Sequence, residues 1–361
     1  MRTVVLGASG NFGRRILQAL KADRSIEPIA AGRTMKGAID GASAVALDVR
    51  AHDFEKRLNV LGPQLVIHCA GPFQGQDYRV ARGALGAGAH YLDLADGRQF
   101  VAGFAAANHE AAQAAGRIAI CGASTLPALS CAVIEALREP LASIEEIDIA
   151  IAPGQRAPRG AATLKAVLSY LGRPFWWMQC GGWERAWGWQ DLRRIHFDVG
   201  TRWAAACDVP DLALLPQHYP GVASVTFRAA LEVGVQHFAL WTLAAARRAG
   251  LALPVERWAA GLDRLASLLD LLGSDRGAMR VSIVGTGDDG ARRRRTWQLS
   301  AQANHGPEIP CLASILLARK LARGEVRASG AYPCIGFLNL EDFQQGFALW
   351  AIRTRIEEVG A

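Results

Sequence analysis

VVLGASGNFGRR, residues 4–15, decides the fold. An apolar run enters Gly7, Gly10 and Gly13 follow at three-residue spacing, and two arginines come next. Gly7 permits a tight turn, Gly10 lets backbone N–H groups approach a pyrophosphate, and Gly13 lets the next helix lie close to the sheet. The N-terminus of that helix favours an anion. Three glycines alone are a weak signal, but directly after a strand and before a helix they are a strong one. Ser9, Asn11, Phe12 and Arg14, interleaved with the glycines, complete the turn expected to hold a nucleotide.

Working outward, short apolar runs alternate with helical patterns. TVVLG (3–7) precedes a helix near 11–21, and EPIAAG (27–32) and SAVALDV (43–49) follow. QLVIHCAG (64–71), HYLDLA (90–95) and RIAICGAS (117–124) are separated by helical stretches near 76–88 and 97–116. Six strands with helical crossovers predict an α/β fold with a doubly wound parallel sheet over residues 1–128.

The second strand selects the nucleotide. An NAD site places Asp or Glu at its end to bond the ribose 2′-OH. Here the strand ends AAGRT, so Gly32 stands in the carboxylate's place and Arg33 and Thr34 follow. Arg33, with Arg14 closing from the helix, suits a 2′-phosphate, and Asp48 at the end of the third strand suits the adenine. NADP is therefore preferred over NAD.

Composition bounds the class. The chain has 361 residues, 51% hydrophobic and 20% charged, with a net charge of +7, which fits two packed soluble domains. The chain opens directly on a strand pattern with no leader peptide, and its seven scattered cysteines form no C-x-x-C pair. Both points suggest a reducing cytoplasm. The dispersed histidines make no H-E-x-x-H motif, so no metal site is expected. The basic run Arg292–Arg295 reads as a solvated hairpin arm, and no nucleic-acid motif accompanies it.

LGASGNFGRR, VIHCAGPFQGQDYRVARGALGAGAHYLDLADGRQFV and CGASTLPALS together resemble the saccharopine dehydrogenase-like family. The resemblance covers about residues 1–135 and is weaker beyond. It implies a pyridine-nucleotide oxidoreductase whose better-known relatives make or break a C–N bond through an imine. It also implies that the loop Cys69, Ala70, Gly71, Pro72 and Phe73 lines the cofactor cleft.

Hydride transfer often needs one proton from the protein. A Tyr followed four residues later by Lys is absent at all five tyrosines. Asp93, at the carboxyl end of the fifth strand, and Tyr78, just past the Phe73 loop, are the catalytic candidates. Asp96 reads instead as the cap of a D-x-x-Q box. Ser124 and Thr125 end the sixth strand and are placed toward substrate or nicotinamide, or as a cap for a helix carrying Pro127 in its first turn.

Residues 129–330 read as an α+β domain with a mixed sheet, and 331–361 as a segment ending in a helix that returns to the first domain. WWMQCGGWERAWGW (176–189) holds five of ten tryptophans and reads as a bent loop. Trp176, Trp177 and Trp183 would line a substrate pocket, a subunit interface or a membrane surface, and the three readings stay open. Arg156, Arg159 and Arg173 are the nearby cations available to an acidic substrate. The expectation is a cytoplasmic, homodimeric NADPH-dependent oxidoreductase. It moves hydride to or from a C=N, C=O or C=C group of a small molecule. The rival is a non-catalytic NADP-binding scaffold with a tryptophan-rich partner surface.

Overall fold

The computed structural model describes every residue except Lys36, Arg159 and Ala361. The chain divides into two compact units, residues 1–129 with 307–338, and residues 130–306 with 339–361.

The first unit contains β1 (Arg2–Leu6), α1 (Asn11–Lys21), β2 (Glu27–Gly32), β3 (Gly37–Ile39), β4 (Ala42–Ala46) and α2 (Phe54–Val60). It continues with β5 (Leu65–His68), α3 (Arg79–Gly86), β6 (His90–Asp93), α4 (Arg98–Ala114) and β7 (Ile118–Cys121). A helix, Ile309–Ala322, and a strand, Gly330–Pro333, are added from far along the chain. The strands lie in the order Gly330–Pro333, β7, β6, β5, β1, β2, β4, β3. All pairings are parallel except β3 with β4. β5 and β7 are buried along their whole length, as continuous apolar strands covered on both faces must be. α1 buries Ile16, Leu17 and Leu20 on one stripe and packs on the Ile309–Ala322 helix. The order reverses between β1 and β5, which opens a ligand crevice at their carboxyl ends.

The third strand differs from expectation. A hairpin replaces the single run 43–49, with Asp40 at φ 48° and Gly41 at φ 77° as a two-residue turn. Asp-Gly in that conformation matches the strand twist. β4 ends at Ala46, so Asp48 lies beyond the strand.

The second unit is built on a mixed sheet. Its strands are β8 (Ser143–Ala152), β9 (Pro174–Gln179), β10 (Gly182–Trp187), β11 (Arg193–Phe197), β12 (Gly200–Ala206), β13 (Ser224–Ala230), β14 (Gly277–Thr286), β15 (Arg292–Ala301) and a last strand Ile352–Gly360. The path runs β10, β9, β13, β8, β14, β15, Ile352–Gly360, with β12 also pairing with β13. α5 (Ser130–Arg138) packs on β14 and β15, and α6 (Asp211–His218) packs on β13 and β9. Ile147, Ile149, Val281, Ile283 and Trp297 are buried in this sheet.

Two expectations are corrected here. The tryptophan segment is a hairpin of β9 and β10, turned by Cys180 (φ 48°) and Gly181 (φ 79°). The segment after Pro333 does not end in a helix returning to the first unit. It forms a short helix, Leu340–Phe347, and an edge strand on β15, both in the second unit. The basic run lies, as read, on the arm of a hairpin, β15 paired with β14, and its arginines are ion-paired. Arg292 and Arg294 pair with Glu146, Arg292 also with Glu145, Arg293 with Asp289, and Arg293 and Arg295 with Glu358. Among the described residues, no helix is long and apolar enough to cross a membrane.

Candidate functional site

The glycine turn leaves β1 and closes on itself. Gly7 adopts φ 80°, donates from its N–H to Ala31 O at 2.8 Å, and accepts at its carbonyl from Gly10 N at 2.9 Å. A β-carbon on Gly7 would stand 3.0 Å from Ala70 N and from Cys69 C. One on Gly13 would stand 2.3 Å from Gly7 O. The turn therefore admits no side chain at either position. Gly10 caps α1 with extended backbone and no side-chain hydrogen bond, and no acidic residue occupies the first turn. A bare helix N-terminus with Ser9 and Gly10 exposed beside it is suited to a phosphate. Asn11 and Phe12 are half-buried there.

The loop Cys69–Phe73 is clamped against this turn. The Gln76 amide nitrogen donates to Ala70 O at 3.0 Å and to Pro72 O at 2.7 Å. Its oxygen meets His68 Nε2 at 3.2 Å. Phe73 is buried and packs edge-on to the His68 ring at 5.0 Å. Burial pushes His68 down to about 4, so the ring is neutral near pH 7. Burial and the neighbouring Asp93 push the Cys69 thiol up. Sequence reasoning missed His68 and Gln76. Both stand inside the quoted VIHCAGPFQGQ stretch, and the visible signal was a polar residue at each end of a loop whose carbonyls lack a regular partner.

The 2′-phosphate candidates separate. Arg14 is held in a two-point pair by Asp40, Nε to Oδ2 at 2.9 Å and Nη2 to Oδ1 at 3.0 Å. That pairing raises Arg14 and lowers Asp40. Arg33 and Thr34 are exposed, and Arg33 makes no ion pair among the described residues. Asp48 accepts from Arg50 N at 3.0 Å, so one of its oxygens serves its own turn.

The two proton candidates each make hydrogen bonds within the fold. Asp93 is fully buried, and its Oδ1 accepts from Gly122 N at 2.7 Å and Ala95 N at 2.9 Å. Burial lifts it to about 6 against those two bonds. Its Oδ2 and the Tyr91 hydroxyl are buried without a hydrogen bond of normal geometry, although each lies in the other's field. Asp93 thus ties the ends of β6 and β7 together. The Tyr78 hydroxyl donates to Phe100 O at 2.9 Å, and its ring packs on Phe100 and Phe104. Tyr78 anchors α3 to α4. Asp96 does not cap α4, whose cap is Gly97 with no side-chain bond; it accepts from Gln74 instead.

Ser124 and Thr125 are half-buried at the end of β7. The proline does not enter a first helical turn. Thr125–Leu129 is kinked, with Leu126 in extended backbone, and α5 begins only at Ser130.

The hairpin divides the tryptophans between its two faces, because strand side chains alternate. Trp177 is 4% exposed and lies 5.0 Å from the Arg228 guanidinium. Trp176 and Trp183 are 54% and 48% exposed. They belong to the opposite face, with the pair Met178 and Trp183 in register. Arg156 donates to Asp270 O, and Arg173 pairs with Glu256; Arg159 lies outside the described residues.

Residues 3–120 match the family model described as the saccharopine dehydrogenase NADP binding domain. No curated protein matches the chain by sequence. Among solved structures, the chain is similar to saccharopine dehydrogenase (L-Glu forming) from Saccharomyces cerevisiae, with TM-score 0.69 and 13% identity over 99% of this chain and 100% of that one. It is also similar to homospermidine synthase from Legionella pneumophila in complex with NAD, with TM-score 0.65 and 11% identity over 100% and 91%. An engineered D-amino acid dehydrogenase bound to NADP+ aligns with TM-score 0.51 and 14% identity over 96% and 98%. At these identities the likenesses show a shared two-domain α/β fold.

Proposed function

We propose that this chain, whose residues 3–120 match the saccharopine dehydrogenase NADP binding domain, is an NADP-dependent oxidoreductase. It transfers hydride to or from a C=N, C=O or C=C group of a small-molecule substrate. The observation that carries this reading is the uncapped, acid-free start of α1 beside a turn in which Gly7 and Gly13 leave no room for a side chain. Those residues fit a dinucleotide's phosphates. NADP supplies the hydride chemistry when bound. Gly10, Asn11 and Phe12 would bind its phosphates, and Cys69–Phe73, held by Gln76, would form one wall of its cleft.

NADP is preferred over NAD in this reading because Gly32 replaces the usual carboxylate and Arg33 is exposed next to it. Arg14 contributes only after leaving Asp40. The reading includes a cytoplasmic location, which free cysteines suit, and a homodimer, which sizing of the purified chain tests. It includes no nucleic-acid partner, supported by the pairing of the Arg292–Arg295 run with carboxylates.

Calorimetric titration of the chain and of Arg33→Ala with NADPH and with NADH tests it. The expected result is NADPH bound about tenfold or more tightly than NADH, a ratio of about 1.4 kcal/mol, with the advantage lost in Arg33→Ala. Binding of neither nucleotide overturns the proposal.

One observation favours a second reading. The commitment of Asp93 and Tyr78 to structural bonds supports nucleotide binding without turnover, with the exposed Trp176 and Trp183 meeting a partner. Oxidation of bound NADPH by any imine or carbonyl substrate decides for the first reading.

A further inference from the structure

The first turns of α5 and the end of α6 bring a thiol, a carboxylate and an imidazole together inside the second unit. Cys131 and Glu135 are four residues apart on α5 and so share one face. His218 is the last residue of α6. One ligand atom from each, Cys131 Sγ, a Glu135 carboxylate oxygen and a His218 ring nitrogen, lie within 4.8 Å of one another. His218 Nε2 is 3.6 Å from Glu135 Oε1. Tetrahedral zinc with bonds of about 2.0–2.3 Å sets its ligands roughly 3.3–3.8 Å apart. The imidazole–carboxylate separation already meets that spacing, and the other pairs lie within about an ångström of it.

We propose that Cys131, Glu135 and His218 form a binding site for a divalent transition-metal ion of the zinc class. The donor set of one thiolate, one imidazole and one carboxylate is borderline-soft, which suits zinc and disfavours magnesium or calcium. Cys131 is buried, whereas Glu135 and His218 reach solvent, so an ion has both an anchored ligand and an entry path.

Tyr219 supplies the second layer. Its hydroxyl donates to Glu135 Oε1 at 2.8 Å and sits 3.6 Å from Cys131 Sγ, while its ring meets the His218 ring edge-on at 4.7 Å. Such outer contacts orient ligands. Arg138 also reaches Glu135 Oε1, at 3.3 Å. That contact is solvent-exposed and of the weak class, so it gives way to a divalent ion. No motif announces the site, because its ligands come from helices separated by about eighty residues.

The test is made on the full chain, stripped with chelator and titrated with Co2+ and then Zn2+. The expected result is one ion per chain, with a thiolate-to-cobalt charge-transfer band that zinc abolishes. Cys131→Ser should lose the band, whereas Cys180→Ser, which removes the exposed thiol, should keep it. His218→Ala, at a partly exposed position, should weaken zinc binding by about tenfold or more with unchanged circular dichroism. Failure to bind either ion, or a band that survives Cys131→Ser, overturns the proposal.

Discussion

A β-carbon at residue 13 would lie 2.3 Å from the carbonyl oxygen of Gly7. The obstacle is backbone, held by Gly10 N at 2.9 Å, so it cannot rotate aside. Gly13→Ala should therefore force α1 away from β1. Overpacking of this kind costs about 1–3 kcal/mol, and NADPH affinity should fall with it. Urea denaturation and calorimetry on the same variant check both effects; unchanged affinity would mean the turn does not hold the nucleotide.

Gln76 is expected to matter more to the nucleotide site than to the fold as a whole. Gln76→Leu leaves Ala70 O and Pro72 O without their side-chain donor. Both bonds are partly buried, so the loss should be about 1 kcal/mol. Hydrogen exchange should rise across residues 69–73, and NADPH affinity should drop. Protection equal to wild type would sink the clamp.

Asp40 restrains Arg14 with a two-point contact at the surface. Asp40→Asn weakens that hold and removes a negative charge. Its expected effect is a gain in NADPH affinity of about two- to fivefold, within the range of exposed ion pairs, with little change for NADH. A gain that is the same for both nucleotides would place the 2′-phosphate elsewhere.

Asp211 gives the second unit a pH signature. It is buried, accepts from Ser130, and is lifted to about 7 by burial. A carboxyl raised in the folded state binds more protons there than when unfolded. Its contribution is fully present below about pH 4 and is lost as pH rises toward 7, where the decline levels off. Asp211→Asn should remove a fall on the order of a few kcal/mol across that window. Thermal melts of wild type and variant from pH 4 to 8 measure it, and parallel curves would refute it. His68 and His237, both lowered to about 4 by burial, act in the same acidic range with opposite slope. Their neutral folded forms lose stability as pH falls from about 6.5 to about 4.

The tryptophans should sort by face. Trp177→Ala removes a buried ring stacked on Arg228, a loss of about 3–5 kcal/mol. Trp176→Ala and Trp183→Ala, at exposed positions, should change stability by less than about 1 kcal/mol. Chemical denaturation of the three variants makes the comparison.

The parallel sheet was legible because its strands are nearly continuous apolar runs bounded by glycine, and the Gly7–Gly13 spacing admits few other readings. EPIAAG, read as 27–32, is β2 to the residue. The turns were less legible. Asp40-Gly41 carries a hairpin signal that the apolar run after it overrode, and Cys180-Gly181 was masked by the bulk of its tryptophans. Site residues were hardest, since a carboxylate at a strand end reads alike whether it faces solvent or, as Asp93 does, two backbone N–H groups. His68 and Gln76 escaped because their roles depend on a fold in the loop between them, which no local pattern records.

The late strand Gly330–Pro333 on β7 has a consequence for synthesis. While the chain emerges from the ribosome, β7 remains an open edge until some two hundred residues after it have been made, as the spacing between Cys121 and Gly330 shows. Ile352–Gly360 covers β15 later still. An unpaired edge invites pairing with other chains. A nascent chain arrested before residue 330 therefore displays both edges at once, and a ribosome-bound chaperone would be of most use to it in that interval.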